Sequence, residues 1–388
     1  MQPARRVFAR LAVGLAVLSM GVLARTAPPP RDLLVYFGTY TGHTSKGVYV
    51  SRLDLASGVL GAPQLAAEAA SPSFVAVHAK RLFLYAVNEV STFEGTPSGF
   101  VSAFAIDRVS GRLTFLNRQS SAGADPAHLV VDKAGRNVLV ANYTGGSVAV
   151  LPIGADGRLK PAASVVQHKG TSVDPDRQRE PHAHGITLDP ANRFAYVADL
   201  GIDTVQIYRF DGAKGRLSGA NPKLARVRPG SGPRHVTMHP GGRFAYVINE
   251  MACTITVFGV NSRSGALVEV QTVSTLPAGQ AVARGYSTAE IAVHPSGRFV
   301  YGSNRGHDTL AVFAIDAGSG KLTLVEHEPT QGSTPRGFGI EPGGAYLLVG
   351  NQRSDSVVVF RIDAGTGALE PTGQKIQVGS PVSVEFVR

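Results

Sequence analysis

The chain has 388 residues, of which 43% are hydrophobic, 45 are glycine and 24 are proline. That balance supplies a large core broken by dense turns and excludes a disordered chain. The formal charge of +10 includes +4 from Arg5, Arg6, Arg10 and Arg25, and the remaining basic residues are scattered among Asp and Glu, so no block suited to a nucleic-acid backbone is present.

Residues 1–30 read as an export signal: a basic start, an apolar run over residues 11–23, and the small residues Val22 and Ala24 placed for cleavage. The run Arg5-Arg6-Val7-Phe8 resembles a twin-arginine signal, and an ordinary secretory signal fits as well. The apolar run is well short of the roughly 20 residues that span a bilayer. The protein is therefore expected to be exported, periplasmic or secreted, with no stable membrane anchor after cleavage. Residues 31–388 are expected to form one domain.

From residue 72 onward the chain repeats. Residues 233–250 (PRHVTMHPGGRFAYVINE) have relatives starting at Pro72, Pro126, Pro181, Ala289, Pro335 and Pro381, at intervals of 54, 55, 52, 56, 46 and 46 residues along the seven starts. Each copy begins with an apolar strand, turns at a motif such as His239-Pro240-Gly241-Gly242, and returns through a second strand that usually ends in Asn. Two more strand-like runs follow in most copies, for example residues 309–315 and 321–326. Four strands repeated at about 40–50 residues are the signature of a propeller blade. Seven starts predict an all-β, seven-bladed β-propeller of four-stranded antiparallel blades.

The last copy ends after one strand, while residues 33–37 form a second strand that lacks a first. Pairing the two closes the ring through one mixed blade and removes the exposed edges. The absence of tryptophan excludes the Trp-Asp class of propeller, and no helix-period pattern lasts three turns beyond the signal. Residues 174–180 are polar and read as a loop. Cys253, the only cysteine, rules out an intrachain disulfide and reads as structural.

In a blade, the start of the first strand and the end of the second meet at one rim of the channel. That rim should gather His128, His182, His184, Arg234, His235, Glu290 and Arg336 from strand starts. Strand ends should add Glu89, Tyr143, Asp199, Glu250, Arg305 and Gln352. Positions equivalent by repeat should match if they served structure alone, yet the residue after Asn or its counterpart is Glu89, Tyr143, Leu200, Glu250, Arg305 and Gln352 in successive copies. Variation on a constant scaffold marks a binding or catalytic rim. The recurrent Asn88, Asn142, Asn249, Asn304 and Asn351 are assigned to turn and backbone hydrogen bonding.

Arginines beside carboxylates suit a small anionic substrate, and the same residues could instead pair across the channel as Arg234, Arg305 and Arg336 with Glu250 and Glu290. His182 and His184, two apart on a strand, would project to one face. They could bind zinc, but no third ligand has a recognisable spacing, so no metal is assigned and a hydrogen-bonding or acid-base role is expected. His239 and His294 precede proline at the opposite strand end and read as structural.

The motifs Gly38-Thr39-Tyr40-Thr41, Pro181-His182-Ala183-His184, Ala198-Asp199-Leu200-Gly201, Gly232-Pro233-Arg234-His235, Asn249-Glu250, Ser303-Asn304-Arg305-Gly306 and Pro335-Arg336-Gly337-Phe338 resemble the lactonase seven-bladed propeller family. This family includes 6-phosphogluconolactonases and carboxy-muconate lactonizing enzymes. The resemblance implies opening or closure of a lactone ring without metal or organic cofactor, by a histidine, two arginines and a glutamate. These map to His184 or His182, to Arg234 and Arg305, and to Glu250. Arg336, Glu290, His235, Asp199, His128 and Tyr143 are the expected substrate-binding surroundings. The resemblance also implies that the arginines hold the substrate's anionic group and that Glu250 or His184 activates water or shuttles the proton. An export signal sits poorly with cytoplasmic sugar-phosphate metabolism, so an unphosphorylated sugar or organic-acid lactone is a further candidate. A muconate-type lactonizing isomerase and a non-catalytic ligand-binding propeller are the alternatives, and a monomer or weak dimer is expected.

Overall fold

The computed structural model describes residues 32–78 and 82–387; the expected export signal lies outside them. Among the described residues, 28 strands form seven four-stranded antiparallel sheets. The first strands of the sheets contact one another in a closed cycle, which makes each sheet a blade around a common axis. Blades 1 to 6 begin at Val75–Val77, Pro126–Val131, Ala183–Leu188, Pro233–Met238, Ser287–Val293 and Pro335–Ile340. Blade 7 takes its innermost strand, Pro381–Val387, from the end of the chain and its other three, beginning with Asp32–Thr39, from the start. Their antiparallel register runs from Leu34 opposite Val387 to Thr39 opposite Pro381, as the paired half-repeats predict.

Every second strand is sandwiched between two neighbouring blades, so both of its faces are apolar. In blade 3, Phe194, Tyr196 and Ala198 join a core with Val236, Val247 and Phe258 of blade 4. Ala195 and Val197, on the other face, join Leu139, Ala141 and Val148 of blade 2. Successive strand side chains point to opposite faces, so this strand reads as one continuous apolar run.

Two repeated contacts bind the blades. Tyr36, Tyr85, Tyr246 and Tyr301 each donate a buried hydroxyl hydrogen bond to a carbonyl of the next blade, at Gly111, Gly157, Gly320 and Gly367. The receiving turns need glycine: Gly157 has φ +82°, and a Cβ there would lie 2.5 Å from the Phe83 ring. Asn88, Asn142, Asn304 and Asn351 donate to the carbonyls of Ala70, Ser121, Thr275 and Thr330 on the connectors entering their blades. Asn249 instead donates to the Thr254 and Thr256 hydroxyls. His239 and His294 bond the carbonyls of Gly297 and Gly344 in the following blade.

Among the described residues, helix is confined to the short 3-10 turns Leu200–Ile202 and Gln352–Ser354. Among the described residues no helix is long and apolar enough to cross a membrane. Cys253 is buried, and burial pushes its thiol up to about 11.

Candidate active site

A β-bulge recurs near the start of the first strand in five consecutive blades. In blade 4, Pro233 faces Asn249 and His235 faces Ile248, which leaves Arg234 as the extra residue. The same shift leaves over Ala127 in blade 2, His184 in blade 3 and Arg336 in blade 6. Blade 5 shifts between Thr288 and Ile291, next to Glu290. A bulge bends its strand and re-aims the unpaired side chain. Three of these extra residues, Ala127, His184 and Arg336, border a cavity of about 330 Å³ together with Glu89, Tyr143, Arg177, Glu250 and Arg305.

Glu250 is the hub. Its Oε2 lies 2.9 Å from Arg305 Nη2, 3.2 Å from Arg234 Nε and 3.7 Å from His184 Nε2. Its Oε1 accepts from Arg177 Nη2 at 3.0 Å. Burial alone would raise this carboxyl, but Arg305, Arg234 and Arg177 outweigh it and hold it at about 2. Glu250 is therefore ionised at neutral pH. The Arg234 guanidinium falls to about 10 because it is buried and faces Arg336 and Arg305. The ion pairing considered from sequence thus exists for Arg234 and Arg305 with Glu250, whereas Arg336 donates to the Tyr40 hydroxyl at 2.9 Å.

His184 is buried, and its pKa lies well below the usual histidine value, first through burial and then through Arg234 and His235. Its Nδ1 has no hydrogen-bond partner among the described residues. A neutral imidazole thus borders the cavity beside an ionised carboxylate. The bulge falls at His184, yet its ring and that of His182 both lie against Tyr143, the His184 ring edge-on with centroids 5.1 Å apart. His182 precedes the strand and stacks on the Tyr143 ring, with centroids 4.5 Å apart. Among the described residues no group of three His, Cys, Asp or Glu side chains is arranged to hold a metal ion.

Opposite Glu250 lies a second carboxylate. Both Glu89 oxygens lie 2.8 Å from the Tyr40 hydroxyl, and Ser73 Oγ donates to Oε2 at 2.5 Å. Burial raises this carboxyl, against the opposing pull of Ser73, Arg336 and Tyr40.

Four expected substrate contacts, His235, Glu290, His128 and Asp199, do not border the cavity. His235 Nδ1 lies 2.9 Å from Glu290 Oε1, and the His128 and His235 rings are 4.7 Å apart. Asp199 is completely enclosed: its Oδ2 lies 2.6 Å from His168 Nδ1, while Oδ1 accepts from the backbone N–H of His182 and Gly201. It fixes the entry to blade 3 and does not border the cavity.

Arg177 is the residue that the sequence reading missed. It sits in the polar loop 174–180, which is a loop as expected, within the longest connector between blades, residues 168–182. Asp174 Oδ1 accepts from the N–H of Asp176 and Arg177, and Gln178 Nε2 donates to Leu200 O, so the loop is pinned while Arg177 reaches Tyr143 Oη at 3.0 Å. The length of that connector was the available signal, since long ordered loops in compact folds are usually functional.

The profile of the family described as "Lactonase, 7-bladed beta-propeller" matches residues 34–386. A 6-phosphogluconolactonase of Bacillus subtilis is 37% identical over 303 residues, 78% of this chain and 83% of that protein. A putative 6-phosphogluconolactonase from Bacteroides fragilis shares 36% identity with a TM-score of 0.86, covering 94% of this chain and all of that one. The periplasmic gluconolactonase of Pseudomonas aeruginosa shares 35% identity with a TM-score of 0.85, covering 92% of this chain and 99% of that one.

Proposed function

From the premise that this chain belongs to the seven-bladed β-propeller lactonase family, we propose that it hydrolyses a sugar or organic-acid lactone in the cavity around Glu250. The observation that carries this reading is a neutral His184 beside a carboxylate held ionised by three guanidinium groups. Similarity to proteins named 6-phosphogluconolactonase and periplasmic gluconolactonase favours an aldonolactone. In the same reading residues 1–30 direct export, and residues 31–388 act as one domain in the periplasm or outside the cell.

His184 takes a proton from water as the water oxygen bonds to the lactone carbonyl carbon. A carboxylate held at about 2 is a poor base, so Glu250 serves better by stabilising the imidazolium as it forms. Arg305 and Arg177 border the cavity and face the charge that develops on the carbonyl oxygen. As the ring C–O bond breaks, the imidazolium returns its proton to the leaving oxygen. The product is a hydroxy acid, which then ionises.

The test is ring opening of glucono-δ-lactone by the full-length chain, corrected for uncatalysed hydrolysis. His184→Asn should lower kcat by roughly 10²–10⁴, the usual worth of a general base. Because the base must be unprotonated and its pKa lies well below 6.5, kcat/KM should stay flat from pH 7.5 to pH 6. Full activity of the variant, or an acid limb centred at 6.5 or above, removes His184 from this role.

A further inference from the structure

A second cavity of about 350 Å³ adjoins the first and shares Arg305 and Arg336 with it. Its border adds Arg353, Ser287, Thr334 and Gln352, and it contains no carboxylate. The first cavity sets Glu89 and Glu250 against its arginines, whereas the second presents three guanidinium groups and neutral side chains. The aspartates carried on the same loops are already engaged: Asp308 Oδ1 accepts from the N–H of Gly306 at 3.0 Å and of Thr334 at 2.8 Å, and Asp355 Oδ1 accepts from the N–H of Ser380 at 2.6 Å.

The walls of this cavity are built. Gly306 has φ +81°, and a Cβ there would lie 2.5 Å from Gly285 O, so those two loops meet only through glycine. The 3-10 turn Gln352–Ser354 is tied to the facing loop by Gln352 N–H to Thr334 O at 2.9 Å and Arg353 N–H to Ser333 O at 3.1 Å. Two cations also keep donors unspent. Arg305 Nε is buried without a partner, and the exposed Arg353 side chain has no hydrogen bond or ion pair among the described residues.

We infer that the second cavity is an oxyanion subsite that receives a phosphate or carboxylate carried by the substrate, while the lactone carbonyl lies against His184 and Glu250. This assignment rests on the lactonase reading. Arg305 and Arg336 form the shared wall, and Arg353 is the specificity-determining residue that selects acid-bearing lactones over uncharged ones. Planar guanidinium forks suit both oxyanions, and a phosphate monoester brings the larger charge.

Three substrates separate the possibilities with the full-length chain: 6-phosphogluconolactone, glucarolactone with its free carboxylate, and uncharged glucono-δ-lactone. At least one acid-bearing lactone should be preferred over the uncharged one by kcat/KM, and whichever is preferred identifies the oxyanion. Arg353→Gln should reduce that preference about tenfold or more, as for loss of one charge-assisted hydrogen bond. Inorganic phosphate should inhibit competitively and raise Tm, with both effects weakened in the variant. No preference for either acid-bearing lactone, or a preference unchanged by Arg353→Gln, overturns the subsite. If the chain opens none of the three lactones, the function fails separately and the phosphate-dependent Tm shift decides: a shift lost in Arg353→Gln upholds the oxyanion site, and its absence in the wild type, or its persistence in the variant, rejects it.

Discussion

Glu250 illustrates how one carboxylate can serve both stability and chemistry. Its side chain is 7% exposed and neutralises cations from two blades and one connector. Glu250→Gln would keep the shape and remove the charge, leaving Arg234 and Arg305 buried without their counterion. Breaking a buried pair in this way costs about 3–5 kcal/mol, which urea unfolding at pH 7 should register along with lost activity. The folded pKa lies below the unfolded one, so Glu250 stabilises the protein above pH 4.5 and the benefit fades as pH falls toward 2. The gap between wild type and variant should therefore close over that window, and a gap independent of pH would contradict the ion cluster. Glu250 and Arg305 were legible because the residue after the strand-end Asn varies among the copies, and His184 and Arg234 because their motifs resemble those of the family. Arg177 was not, because a loop without a counterpart in other copies offers nothing to compare. Asp199 looked like a rim residue by position, and only its buried partners reveal that it holds the backbone.

The strand pattern was readable because apolar runs and turn motifs recur in every copy. The bulges were not, since one added residue in a short strand leaves no mark on composition and shifts the facing of only a few side chains. Yet the bulge leaves His184 and Arg336 on the cavity border and Arg234 against Glu250. The tyrosine latches make the complementary point about the constant part of the repeat. Tyr301 donates to Gly367 O at 2.8 Å across blades 5 and 6, far from the cavity. Tyr301→Phe should lower stability by about 1–3 kcal/mol through the carbonyl left unpaired, with lactone turnover retained. A variant as stable as the wild type would show that packing alone joins these blades.

Ring closure depends on one blade whose strands come from both ends of the described chain. Removing residues 381–388 would strip the innermost strand from Asp32–Thr39 and expose a long edge beside Tyr36 and Phe37, now fully buried. Exposed apolar edges pair with other chains, so size-exclusion chromatography should show oligomers or aggregates with a lower and broader melting transition. A truncated chain that stays monomeric at unchanged Tm would mean that six blades hold the ring by themselves. This same seam sets a biosynthetic clock. Pro381–Val387 is made after every other strand of the ring and must slot between the axis and Asp32–Thr39, so the enclosure cannot be sealed before those residues are made. Whichever side of the membrane hosts that final insertion is where the protein first becomes competent, and a passenger threaded across unfolded would reach that point only after arrival.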